Sequence, residues 1–211
     1  MKAGNANEIY VSQISDNLVL TIKQQSENNY ISLTGSGDDN NITIYQGVAA
    51  DGTTDLDETG GHEAYWSISG DNNILLSTQT DVNRSGGGGS PHHLSNIVNG
   101  DSNTVTHTQR GKTGHDGFIE VNGSSNTVDL YQRGNGGAQW ADIVLTGDGH
   151  VINADQRGTM SHTFAVDLTN GGGAYTITSN QTTNSTTTSK SYSLTGTCTN
   201  SLGCAITVTQ N

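Results

Sequence analysis

The chain has 211 residues, a formal net charge of −12 and a mean hydropathy of −0.52, with eight Lys and Arg against twenty Asp and Glu. That charge disfavours nucleic acid as a partner, and no apolar run reaches the length needed to span a membrane. Hydrophobic residues make up 30 % and charged residues 13 %, a poor fit to a compact globule around one core, with the excess in Gly, Asn, Thr and Ser.

Disorder would account for such a composition, but it gives no reason for the strict apolar alternation that recurs at nine places. The opening residues, MKAGNANEIYV, hold no secretory signal. Either a leader was removed and Met1 added, or the protein is made without one. From Ala6 to Gln24 two short segments lie eleven residues apart: Asn7, Ile9, Val11 and Gln13 share one side of a strand, then Leu18, Leu20, Ile22 and Gln24 do. From Tyr30 the unit lengthens, and a first strand precedes each ladder strand. Ile31 and Leu33 stand before Gly35, Ile119 and Val121 before Gly123, and Ile143 and Leu145 before Gly147. The turns are short and rich in Gly and Asx, as in Gly70-Asp71-Asn72-Asn73 and Gly100-Asp101-Ser102-Asn103, which suits left-handed backbone. The ladder strands that follow are Asn40, Ile42, Ile44, Gln46; Asn73, Leu75, Ser77, Gln79; Asn103, Val105, His107, Gln109; and Asn126, Val128, Leu130, Gln132. Degraded copies end on Gln156, Gln181 and Gln210.

The later glutamines are spaced by 23 to 29 residues, which places the chain among repeat architectures. Insertions fall between a glutamine and the next first strand, at Gly47 to Ala64, Thr80 to Ser95 and Thr182 to Ser191, so they are expected to project from one edge. The expectation is a single elongated repeat domain, 1–211, with short repeats at 6–24, longer coils at 30–181 and a last coil at 182–211. The fold class is all-β: a β-solenoid of about seven strand-turn-strand coils, with an antiparallel β-sandwich as the alternative. Stacked coils put like over like, so Asn and Gln form amide ladders, whereas a sandwich has no reason to turn amides inward at fixed positions.

The repeated units resemble the curlin repeat of bacterial functional amyloid fibres, in which Gln-x-Gly is followed by an Asn that precedes a second Gln by six residues. Asn7 to Gln13, Asn40 to Gln46, Asn73 to Gln79, Asn103 to Gln109 and Asn126 to Gln132 keep the six-residue spacing. Gln109-Arg110-Gly111, Gln132-Arg133-Gly134 and Gln156-Arg157-Gly158 supply the Gln-x-Gly. The repeats here are longer and unequal, with bulky apolar residues where that family often has alanine. These departures from the family pattern, with the loop insertions, point to a fixed body built into a defined assembly rather than open-ended amyloid growth. Loosely similar repeats occur in bacteriophage appendages.

Seven histidines, His62, His92, His93, His107, His115, His150 and His162, invite a metal hypothesis. His92 and His93 read as a loop pair pointing apart, and His107 and His150 as ladder residues, so no metal site is expected. The acidic run Asp51 to Glu58 fits neither known calcium-loop spacing and reads as solvated. Hydrolase and phosphate-loop motifs are missing; Glu120, Asp129 and Asp142 stand at outward positions, where paired acids would be needed for glycoside hydrolysis. Cys198 and Cys204 flank the final turn, and a disulfide closing it is preferred over free thiols. Tyr10, Tyr45 and Tyr131 face outward and suit sugar or subunit contact, or plain cross-strand packing.

The expectation is thus a non-enzymatic structural subunit of an extracellular or virion fibre, with no cofactor. It self-associates end to end or joins other fibre subunits through the ladder positions Asn7, Gln13, Gln24, Asn40, Gln46, Asn73, Gln79, Asn103, Gln109, Asn126, Gln132, Gln156, Gln181 and Gln210. No cap is evident at either end, which points to other subunits there. The alternatives are a phage or cell-surface adhesin whose loops bind a receptor or glycan, and a polysaccharide-active β-helix enzyme.

Overall fold

Strands with one apolar side need a second layer to cover it, and in a computed structural model of the chain an eight-stranded parallel sheet is faced by a four-stranded and a three-stranded one. It describes residues 7–14, 16–25, 28–47, 61–80, 90–169, 173–183, 189–197 and 203–210. The strands are β1 (Glu8–Ile14), β2 (Val19–Gln24), β3 (Tyr30–Ser36), β4 (Asn41–Gln46), β5 (Glu63–Ser67), β6 (Ile74–Thr80), β7 (Asn96–Ile97), β8 (Thr104–Gly111), β9 (Thr127–Gly134), β10 (Gln139–Val144), β11 (Val151–Gly158), β12 (His162–Thr169), β13 (Tyr175–Thr183), β14 (Lys190–Thr197) and β15 (Cys204–Gln210).

One sheet has eight strands in the order β15-β13-β11-β9-β8-β6-β4-β2, one from each coil. Every pairing in it is parallel, with like residues in register: Val105, Val128, Ile152, Ile177 and Ile206 align, as do the glutamines from Gln24 to Gln210. The opposite face holds β1-β3-β5-β7 and β10-β12-β14. Residues 116–121 join these two parts, with Asp116 bridging His93 and Ile119 bridging Ile143. The chain is therefore a parallel β-solenoid with stacked Gln and Asn ladders, and the antiparallel sandwich is ruled out.

The inward residues of both sheets form one continuous core. Ile31, Leu33, Leu94, Ile119, Ile143 and Phe164 meet Ile42, Ile44, Leu75, Val105, Val128, Leu130, Ile152 and Ile177, all buried. Outward residues on the same strands are mostly polar or aromatic, with Val19 and Ile74 as exposed exceptions, so Thr127, Asp129 and Tyr131 of β9 face away from the core. The turns between sheets work as their composition predicts. Asn72, Ser102 and Ser125 each adopt φ of 58–59°, and a Cβ on Gly100 would run into the carbonyl oxygen of Gly123 in the next coil.

The first segment departs from expectation. Asn7 to Gln13 carries the same Asn-to-Gln spacing as the ladder strands, yet β1 pairs with β3 on the opposite sheet, with Ile9 beside Ile31 and Gln13 beside Gly35. Only β2 joins the ladder sheet, through Gln24 and Gln46. The two short repeats at 6–24 are thus the two strands of one coil. A six-residue spacing on one strand does not say which sheet it enters; that is decided by which neighbour it can pair with.

The inserted segments 48–60, 81–89 and 184–188, with the acidic run Asp51 to Glu58, lie outside the described residues. Cys198 does too. Cys204 is disulfide-bonded, and Cys198 is the one other cysteine in the chain.

Candidate functional site

Three columns of inward polar side chains, buried except near the two ends, run along the stack, one at the turn edge and two at the loop edge. At the turn edge, Asn40 Oδ1 accepts the backbone N–H of Asn73, Asn73 that of Asn103, and Asn103 that of Asn126, each at 2.9 Å. The pattern continues through His150 N–H on Asn126 Oδ1 (2.8 Å) and Tyr175 N–H on His150 Nδ1 (3.0 Å). The Asn amide groups also donate to turn carbonyls, Asn103 to Gly123 O at 2.8 Å and Asn126 to Gly147 O at 2.9 Å. An inward Asn therefore ties each tight turn to the next.

At the loop edge stand the glutamines. Nε2 of Gln24, Gln46, Gln79, Gln109, Gln132, Gln156 and Gln181 each donates to Oε1 of the next glutamine, at 2.8–3.3 Å. The same amides reach across the core to the start of the next first strand. Gln46 donates to His62 O (3.1 Å), Gln79 to His92 O (2.7 Å), Gln109 to His115 O (3.0 Å) and Gln132 to Gln139 O (3.1 Å). Gln46 and His62 are sixteen residues apart and Gln109 and His115 six, yet the bond is the same. The glutamine column pinches the base of each loop, so loop length does not disturb the coil.

The third column was not foreseen from the sequence. It consists of the polar residue at or before the start of each first-strand segment: Asn7, Asn29, His62, His92, His115, Gln139 and His162. Asn7 Oδ1 accepts Asn29 N–H (2.9 Å) and Asn29 Oδ1 accepts His62 N–H (3.0 Å). Histidines then take over, with His92 N–H on His62 Nδ1 (3.1 Å), His115 N–H on His92 Nδ1 (3.1 Å) and Gln139 N–H on His115 Nδ1 (3.0 Å). The rings of His62, His92 and His115 stack at 4.9 Å, at interplanar angles of 3° and 13°. Asn7 thus belongs to a ladder, but not to the one its spacing suggested.

His107 is a separate case. It sits inward on β8 with its ring over Gly117, between Asn96 Oδ1 and Gln132 Oε1 at 3.3 Å each, and burial pushes its pKa down to about 3. His93 points outward, with Nδ1 2.9 Å from Glu63 Oε2. Among the described residues no cluster of three or more His, Cys, Asp or Glu side chains is placed to hold a metal ion.

The outer surfaces carry aromatic rings and acids. Tyr10, Tyr30 and Tyr65 form an edge-to-face row with centroids 5.8 and 5.5 Å apart, and Trp140 is 47 % exposed. Tyr65 donates to Glu63 at 2.8 Å, and that bond holds its phenol up at about 12. Tyr131, on the other sheet, lies under the guanidinium of Arg157. A shallow groove of about 430 Å³ there is lined by Asp129, Tyr131, Asn153, Asp155 and Arg157 among others. Burial and then Asp155 raise the Asp129 pKa; burial, Asp167 and Glu120 raise that of Asp142. The acids considered for glycoside hydrolysis fall on two faces, Asp129 on the eight-stranded sheet and Glu120 and Asp142 on the other.

Compared with known protein families, curated proteins and solved structures, the chain matches none. The curlin-type resemblance therefore rests on the repeated residues and on the stacked ladders themselves.

Proposed function

We propose that the chain is a non-enzymatic, curlin-like structural subunit of an extracellular or virion fibre that stacks end to end through its ladders. The observation that carries this is the contrast between the first coil and the second. Ile9 and Val11 occupy the register positions of Ile31 and Leu33, which are buried, yet they are 49 % and 44 % exposed. Inward residues of the last coil, Tyr192, Leu194 and Ile206, are likewise only partly covered. Each sheet is parallel throughout, so a second copy added along the axis continues both sheets and covers both sets of side chains. Contact between unlike ends gives a filament, or a ring if the rotation closes.

Electron microscopy and sedimentation of the full chain test this reading. Linear or ring-shaped multimers are expected, and Ile9→Lys with Val11→Lys is expected to return them to single bodies. Single bodies at every concentration would sink it. A second reading, a glycan-binding adhesin, draws on the exposed rings of Tyr10, Tyr65 and Trp140. Glycan binding lost in Trp140→Ala, with stacking intact, is the outcome that favours it.

A further inference from the structure

Six of the seven histidines are buried, and five of them share one task. His62, His92, His115, His150 and His162 each accept through Nδ1 the backbone N–H of the next coil, at 3.0–3.2 Å. A backbone N–H can only donate, so each Nδ1 must be unprotonated. On the other side of the ring, Nε2 of His92, His115, His150 and His162 lies 3.0–3.3 Å from the carbonyl oxygens of Thr80, Arg110, Thr146 and Arg157. A carbonyl can only accept, so the proton is on Nε2. With obligate partners on both sides, these four rings are held in one neutral tautomer. A second proton would set N–H against N–H at a buried site. In the stack of His62, His92 and His115 it would also bring charges onto rings 4.9 Å apart.

We infer that the imidazole column is an acid-sensitive latch, which holds the coils from His62 to Gln139 together while the rings are neutral and releases them when the rings take up protons. At the loop edge the neutral amides of Gln46, Gln79 and Gln109 touch the stack, donating to the carbonyls of His62, His92 and His115. Arg110 contributes its backbone carbonyl, and His107 lies near enough to His115 for the two to disfavour each other's charge. Glu63, His93 and Asp116 follow the stacked rings in sequence and so face outward, with Glu63 bonded to His93. At His162 the neighbour is Lys190, a like charge.

Burial holds His115 down at about 4 and lowers His162, against about 6.5 for an unfolded histidine. With folded values below the unfolded one, the unfolded chain takes the proton first. The stability contributed by His115 is therefore complete above about pH 6.5 and is lost as the pH falls from there to about 4, and that of His162 changes in the same sense. Asp129 and Asp142 are shifted upward, so their protonation favours the folded state over the same fall and does not imitate the latch. The inference concerns the single body and is independent of end-to-end stacking.

The test follows circular dichroism and amide hydrogen exchange of the full chain at constant ionic strength, from about pH 8 to about pH 4. The wild type is compared with a variant carrying H62N, H92N and H115N. Asparagine is the matched control, because Asn7 and Asn29 fill the same column and accept the same bond. The wild type is expected to lose strand signal and protection at the His92, His115 and Gln139 amides, and the variant to do so at least about one pH unit lower. A shared midpoint, or a wild-type fold intact at about pH 4, overturns the latch. Should the variant not fold at neutral pH, the wild-type imidazole C–H resonances decide. Protonation coincident with unfolding supports the latch; titration inside an intact fold overturns it.

Discussion

Gln132 shows what a single ladder residue does. Its Nε2 donates to Asp116 O at 2.8 Å, Gln139 O at 3.1 Å and Gln156 Oε1 at 3.1 Å, while its Oε1 accepts from Gln109 at 3.0 Å. One fully buried amide thus joins three coils and both sheets. An unmet buried polar group costs about 1–3 kcal/mol, and Gln132→Ala leaves several, so a loss of about 3 kcal/mol in urea unfolding is expected. Gln210, partly exposed in the last coil, accepts from Gln181 and donates to Ser191 O at 3.3 Å each. Gln210→Ala is expected to cost under about 1 kcal/mol. Equal losses at the two positions would mean that the ladder bonds are not what holds the coils. The histidine column escaped a reading of residue spacing for a physical reason. Its members stand at or before the starts of the first strands, and loops of unequal length separate them from the glutamines that mark the repeat.

At the scale of the element, the unit is two strands joined by a tight turn, with an Asn or His inside it. Gly-Asx composition announced these turns correctly because left-handed backbone has few other occupants. A second left-handed position, at the end of three successive first-strand segments, holds Asn99 (φ 72°), Asn122 (φ 66°) and Thr146 (φ 67°). Asn99 Nδ2 donates to Asn122 Oδ1 at 2.7 Å, and Thr146 comes next along the axis. A β-branched residue is strained there, by about 1–3 kcal/mol, and cannot extend the amide row. Thr146→Asn is expected to stabilise the chain by about 1 kcal/mol, read as a higher urea midpoint at unchanged slope. A midpoint at or below that of the wild type would show that the strain is absorbed elsewhere.

For the molecule as a whole, the formal charge of −12 opposes the stacking of coils that lie only about 4.8 Å apart. Raising salt from a few millimolar to about 0.15 M shortens the screening length to about 8 Å, so both the thermal midpoint and the tendency to multimerise are expected to rise. A flat salt response in both would remove charge repulsion as a limit on stability or assembly. The distribution of charge matters as well as its sum: on the first-strand face Glu63, Asp116, Glu120 and Asp142 lie among Tyr30, Tyr65 and Trp140, whereas Arg110, Arg133 and Arg157 align on the eight-stranded sheet.

Alternation in the strand from Thr127 to Gly134, repeated along the chain, was enough to establish an all-β repeat body with its apolar residues, Asn and Gln turned inward. Side-chain parity is a local property with a period of two, and sequence carries it directly. Pairing is not local. Which sheet Asn7 to Gln13 would enter, and that the loop-edge glutamines would reach across to the residues before the next strand, depended on how the coils closed. So did the meeting of His62, His92 and His115, residues 30 and 23 positions apart that share one buried stack only because parallel coils put each above the last.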